Sequence, residues 1–123
     1  MKTANDDTFV CVQIEHVDAV ANLDAIFSVK GIDAMIIGPY DLSASMGITA
    51  QFQHPDYLKV WNEILQKAIQ HNIIPGIHIV QPDPLDAISK IKAGFRLIAY
   101  SLDITVLGSF FRQGINKIKE FNK

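Results

Sequence analysis

The sequence is short of the features that most readily place a chain in a class. It has a single cysteine, Cys11, so no internal disulfide can form. A lone thiol inside an apolar run reads as a buried structural residue of a reducing compartment. No apolar run approaches the ~18–20 residues needed to span a bilayer. The opening decapeptide, MKTANDDTFV, holds no apolar stretch of signal-peptide type, which argues against export and for a cytoplasmic location. Charge of one sign is also scarce: 11 basic and 13 acidic residues leave a net charge of −2. That balance carries no footprint of a nucleic-acid or membrane-surface partner. Glycine-rich phosphate loops are missing, both the dinucleotide type after a first strand and the Walker type.

What remains is an ordinary globular composition. Of 123 residues, 49% are hydrophobic and 20% charged, enough for one domain, residues 1–123, with a real core. Apolar runs alternate with helical patterns. Residues 8–15 read as a strand buried on both faces. Residues 17–29 follow at helical spacing and stop at Lys30-Gly31. Residues 34–38 form a second strand, followed by a loop of small residues around Gly47. Pro55 opens a long helix to about residue 72, with Leu58, Trp61, Ile64, Leu65, Ala68 and Ile69 on its apolar face. Residues 73–80 are a third strand, interrupted by Pro75-Gly76, and residues 82–94 a helix ended by Gly94. Residues 95–102 are the fourth strand and residues 104–121 the last helix.

Strand-helix alternation four times over predicts an α/β fold with parallel strands. Right-handed crossovers leave two arrangements, an open sheet covered on both faces or a barrel ringed by helices. The missing glycine-rich turn weakens the first. QIEHVDAV has none, and IAYSLD lacks the lysine of a receiver-like sheet. A barrel would need eight strands and ~250 residues, so the chain reads as a (βα)4 half of a TIM-type (β/α)8 barrel. Polar groups follow the strand ends at Glu15, Asp41, Gln81 and Asp103, where both architectures place active sites.

The motifs VQIEH, NLDAI, IIGPYDLSASMG, PGIHIV and GFRLIAYSLDITVLG make the chain similar to the C-terminal half of the HpcH/HpaI aldolases. These are class II pyruvate aldolases that act on 4-hydroxy-2-oxo acids. QIE alone is weak; QIE followed 26 positions later by the aspartate of GPYDLS is specific. The resemblance implies that Glu15 and Asp41 bind a divalent metal, Mg²⁺ or Mn²⁺, with Co²⁺ possible. It implies that Gln13 faces the same pocket in a catalytic and substrate-binding role, and that the backbone amides around Pro39, Tyr40 and Asp41 bind substrate by receiving the pyruvate carboxylate. The residue types suit that chemistry. Two carboxylates, with water and substrate, favour a hard, oxygen-preferring cation, which can stabilise a pyruvate enolate as a Lewis acid. The internal lysines Lys30, Lys59, Lys67, Lys90 and Lys92 fall on helices or their ends, which disfavours Schiff-base chemistry.

The resemblance also implies strands five to eight of the barrel, an aldehyde co-product, and a homo-oligomer that exchanges its last helix between subunits. The family's arginine and proton-handling histidine belong to the N-terminal half, so the chain is expected to need a partner half or self-association. Two rivals stand beside the aldolase: a non-catalytic metal- or ligand-binding assembly module, and a related acyl-CoA lyase. Blander readings stand beside the site residues. Glu15 would cap the next helix, Asp41 would make a turn, and Gln13 would be a buried structural amide. His16 follows Glu15 but alternates to the other face. His54 reads as an exposed loop residue, His71 as a helix-end residue, and Asp103 as a cap. His78, in mid-strand, is the histidine placed to face a barrel cavity.

Overall fold

The computed structural model describes residues 7–121, so the opening stretch MKTAND lies outside the described residues. Four strands, β1 (Cys11–Ile14), β2 (Ala34–Ile37), β3 (Ile74–Ile79) and β4 (Leu97–Tyr100), alternate with helical segments. The helices are α1 (Val17–Ala21), α2 (Leu23–Phe27), α3 (Pro39–Ser45), α4 (Pro55–Gln70), α5 (Pro84–Ala93) and α6 (Asp103–Phe121). Every pairing is parallel, and the strand order is β1-β2-β3-β4.

That order separates the two architectures left open by the sequence. A doubly wound sheet reverses its strand order at a switch point. An unbroken order with right-handed crossovers lays all the helices on one face, as a barrel does. The strands obey this division. Ile14, Ile37 and Ile77 are in register with one another and buried beneath the helices, in one core with Phe27, Ile64, Leu65 and Phe95. On the other face Cys11 and Gln13 are exposed, and Ile36, His78 and Leu97 half-buried. Within the described residues β1 and β4 each pair on one side only.

Local chemistry accounts for the boundaries. Gly94 closes α5 with φ 118°, a left-handed conformation that costs glycine little. Pro75 does not interrupt β3. It lies one residue into the strand, before the pairing with β4 begins at Gly76↔Leu97, where a missing N–H breaks no rung on that side.

Several expectations change. β1 is buried on one face rather than two, and Cys11 is an exposed free thiol rather than a core residue. Partial desolvation pushes that thiol up, which keeps it protonated at neutral pH and a poor nucleophile. The expected single helix over residues 17–29 is split at Asn22, whose Nδ2 donates to the Asp18 carbonyl at 2.7 Å. An asparagine that binds a helix carbonyl competes with the ladder there. The stretch expected as a loop after β2 begins as the helix α3. Proline at its first position suits a helix start, and Ser43 and Ser45 satisfy their hydroxyls on the carbonyls of Tyr40 and Leu42. Ser43 is fully buried.

Candidate metal centre

The site begins at the C-terminal end of β1. Gln13 and Glu15 lie two residues apart, on the same face of the strand. The Gln13 Nε2 donates to Glu15 Oε2 at 2.6 Å, and both side chains are exposed. Glu15 does not cap α1. That role falls to His16, whose Nδ1 accepts the Asp18 N–H at 3.2 Å, so His16 is a cap and not part of a cluster with Glu15. Gln13 is likewise no buried structural amide.

The neighbouring strand ends in Gly38, and its need for glycine is steric. A Cβ there would lie 2.6 Å from Gln13 Nε2 and 3.0 Å from Glu15 Oε2. The Gln13–Glu15 pair therefore leans over β2 and occupies the space a side chain would take. Gly38 then serves as the N-cap of α3, with Pro39 as its first residue and Asp41 in its first turn. Asp41 is exposed, and among the described residues its carboxylate takes no hydrogen bond or ion pair. Strands β1 and β2 are adjacent and in register at Ile14↔Ile37, so both acids stand at the same rim of neighbouring strands.

Extending that register by two residues from Gln13↔Ile36↔Gly76 puts Glu15, Gly38 and His78 on one rung. His78 is half-buried, with Nε2 3.3 Å from the Ser101 carbonyl oxygen. Donation of Nε2–H there leaves Nδ1 as an acceptor. Ser101 ties the ends of β3 and β4 together. Its N–H donates to Ile79 O at 2.6 Å and its hydroxyl to Val80 O at 2.9 Å. No sequence signal marked Ser101, because serine in a strand end is unremarkable without the register.

The donor set fits a hard divalent cation. Two exposed carboxylates offer oxygen ligands, one of them is preoriented by an amide, and the rim beside them is kept clear by Gly38. Among the described residues no three His, Cys, Asp or Glu side chains converge on a common point. A cation held here would take Glu15 and Asp41 as its protein ligands and fill its other positions from outside the set.

The remaining polar candidates are structural. His54 caps α4 by accepting the Asp56 N–H. His71 and Lys67 both bond Asp24 of α2, at 2.9 and 2.7 Å, and hold its carboxyl below the usual aspartate range, the Lys67 hydrogen bond contributing most. Asp103 accepts the Ile104 N–H at the start of α6. No described lysine lies on a strand. One strand away from the carboxylates, a cavity of about 390 Å³ is bounded by Pro39, Tyr40, Tyr57, His78, Gln81 and Lys90, among others. Pro39 and Tyr40 thus border it, while Gln13, Glu15 and Asp41 do not.

Comparisons with known proteins agree with this architecture. The chain is 35% identical over 105 residues to the hydroxypyruvate/pyruvate aldolase of Roseobacter denitrificans, covering 85% of this chain and 40% of that enzyme. It is 34% identical over 109 residues to an Escherichia coli 4-hydroxy-2-oxo-heptane-1,7-dioate aldolase, covering 87% and 40%. The crystal structure of an HpcH/HpaI aldolase from Desulfitobacterium hafniense superposes with a TM-score of 0.89 at 32% identity, over 97% of this chain and 46% of that one. The chain therefore spans about two fifths of the curated relatives it matches, and its four parallel strands correspond to part of a TIM barrel. With the profile of HpcH/HpaI aldolase/citrate lyase matching residues 1–108, and relatives of this identity over most of its length, the chain belongs to the HpcH/HpaI aldolase/citrate lyase family.

Proposed function

We propose that this chain is the metal-binding half of a class II aldolase that interconverts 4-hydroxy-2-oxo acids with pyruvate and an aldehyde. Glu15 and Asp41 hold the divalent cation, Mg²⁺ or Mn²⁺, and Gln13 orients Glu15. The observation that carries the reading is the Gln13–Glu15 pair laid over Gly38, one strand from the helix turn that presents an unpartnered Asp41.

A bound divalent cation supplies Lewis-acid stabilisation of the negative charge that develops on the 2-oxo group. The protein's own part is positional. Gln13 donates to Glu15 and so fixes one carboxylate oxygen, leaving the other available. Pro39 opens the first turn of α3 without an N–H of its own, and the N–H groups of Tyr40 and Asp41 that follow it suit the carboxylate of a 2-oxo acid. In cleavage the C3–C4 bond breaks, the C4 hydroxyl loses its proton as it becomes the aldehyde carbonyl, and the enolate left at C2–C3 takes up a proton to give pyruvate. This chain offers no arginine at that rim to share the enolate charge. We therefore assign charge and proton handling to the other half of the barrel.

The partner side of the reading rests on exposed apolar surface. Helix α6 has no buried residue, and Phe110, Phe111 and Phe121 are 73%, 62% and 90% exposed. Surface of that kind marks an assembly contact, and a homo-oligomer would cover it. No helix among the described residues is long and apolar enough to cross a membrane. A cytoplasmic setting completes the reading, since an exposed free thiol persists in a reducing compartment.

The test couples Mn²⁺, a 4-hydroxy-2-oxo acid and lactate dehydrogenase to report pyruvate. Metal-dependent pyruvate release that vanishes in Glu15→Ala is the expected result. Mn²⁺ stabilisation without pyruvate, in the presence of the other half of the barrel, would instead favour the non-catalytic module.

A further inference from the structure

The two acids proposed to share a cation stand on different elements, and among the described residues neither side chain is bonded to the other's element. Glu15 takes its hydrogen bond from Gln13, two residues back on its own strand, and Asp41 takes none. Their separation is therefore set by backbone. The last rung of the β1–β2 ladder is Ile14↔Ile37, and the Gly38 N–H donates to the Ile14 carbonyl at 3.2 Å. Glu15 lies one residue beyond that rung. Past it the chain enters α1, a five-residue helix with no buried residue, so packing does not fix its start. Helix α3 is the opposite case: Leu42, next to Asp41, is fully buried in the core.

One hydroxyl joins the loose side to the fixed one. The Val17 N–H donates to Ser45 Oγ at 3.2 Å, and the Ser45 hydroxyl donates to the Leu42 carbonyl at 2.8 Å. Val17 follows Glu15 by two residues and Leu42 follows Asp41 by one, so a single oxygen bridges the backbone behind both acids. Val17 carries one of the N–H groups that a helix start leaves without an intrahelical partner. The cap residue His16 spends its Nδ1 on the next one, the Asp18 N–H, and Val17 is satisfied from outside its own helix. A helical serine commonly bonds a preceding carbonyl of its own turn. Ser45 does that and also accepts from a residue 28 positions away.

The spacing of the acids matters to the ion. Mg²⁺ demands near-ideal geometry at about 2.0–2.1 Å, while Ca²⁺ accepts about 2.3–2.6 Å and a more flexible shell. Two carboxylates held at a fixed separation suit the smaller ion, and a slack pair gives up that preference. We propose that Ser45 is a positioning residue of the cation site, whose hydroxyl fixes Glu15 against Asp41 and thereby sets a preference for a small divalent cation over Ca²⁺. The proposal rests on the reading that these two acids hold a cation.

The test compares Ser45→Ala with Ser45→Thr, which keeps the hydroxyl. A third variant, Ser28→Ala, removes a serine hydroxyl bonded at 2.6 Å to the Asp24 carbonyl at the end of α2. Calorimetry reads Mn²⁺ affinity, and displacement of Mn²⁺ reads Mg²⁺ and Ca²⁺. Ser45→Ala should weaken Mn²⁺ roughly 10-fold, the low end of what a lost supporting contact costs a metal site, and should weaken Mg²⁺ more than Ca²⁺. Ser45→Thr and Ser28→Ala should match the parent. Amide hydrogen exchange gives a readout without metal: the Val17 N–H should exchange faster in Ser45→Ala while β1 and β2 keep their protection. Undiminished Mn²⁺ affinity in Ser45→Ala, equal losses for Mg²⁺ and Ca²⁺, a Ser45→Thr no better than Ser45→Ala, or Val17 exchange indifferent to the hydroxyl would overturn the proposal and leave the cation reading standing. A parent that binds no Mn²⁺ would overturn the cation reading, and the proposal with it.

Discussion

The two faces of the sheet follow different rules. Under the helices, Ile14, Ile37 and Ile77 stack in register and are each at most 3% exposed. On the opposite face the same strands carry Gln13, Glu15 and His78, with glycine at Gly38 and Gly76. The first face is a packing surface and holds the fold together. The second carries polar groups and glycines, and stays open at some expense of burial. The comparison teaches that packed and open positions alternate residue by residue along each strand, which the pleat makes possible.

The largest expected effect tests the packing face. Ile37→Ala should lower unfolding free energy by about 2–5 kcal/mol, measured by urea denaturation. If the loss stayed under about 1 kcal/mol, the helix-covered face would not be the close-packed one. On the open face Glu15→Ala should do the reverse. Pyruvate release should drop roughly 10²–10³-fold, while stability moves by no more than about 0.5 kcal/mol, as for an exposed residue. A large stability loss would mean that the carboxylate is structural. Gly38→Ala sharpens the contrast further. Its Cβ would displace the ends of the Gln13 and Glu15 side chains, so cation affinity should weaken roughly 10–100-fold with the fold intact. Calorimetry on the variant would decide between displacement and tolerance.

The smallest effect lies in the helix layer. Lys67 and His71 hold the Asp24 carboxyl below its ordinary range. A depressed folded-state value stabilises the protein above the unfolded aspartate value of about 3.9 and loses that contribution as pH falls toward the folded value. Urea midpoints should therefore fall less steeply below about pH 4 in Asp24→Asn than in the parent. Parallel slopes would remove Asp24 from the account.

The succession of strands and helices along the chain was legible because apolar runs of four to six residues alternate with helical spacing, and glycine or proline marks the joints. The candidate site was legible only in part. Glu15 and Asp41 were singled out by a specific motif, but α3 was hidden by its loop-like composition, and only the folded chain shows its serines bonding back to their own helix. Cys11 was misread because one strand face is covered and the other is open, and an apolar run does not say which. Tyr57 was passed over for its neighbours Leu58 and Trp61, since one helix turn of periodicity does not reveal which side chain ends in a cavity. His78 could be singled out from its mid-strand position, while its rung with Glu15 and Gly38 needed the register.

The most direct test is calorimetric titration of Mn²⁺ into the chain and into Glu15→Ala and Asp41→Ala separately. The account predicts one site per chain, lost in each single variant alike, because both carboxylates serve the same ion. Undiminished binding in either variant would contradict it.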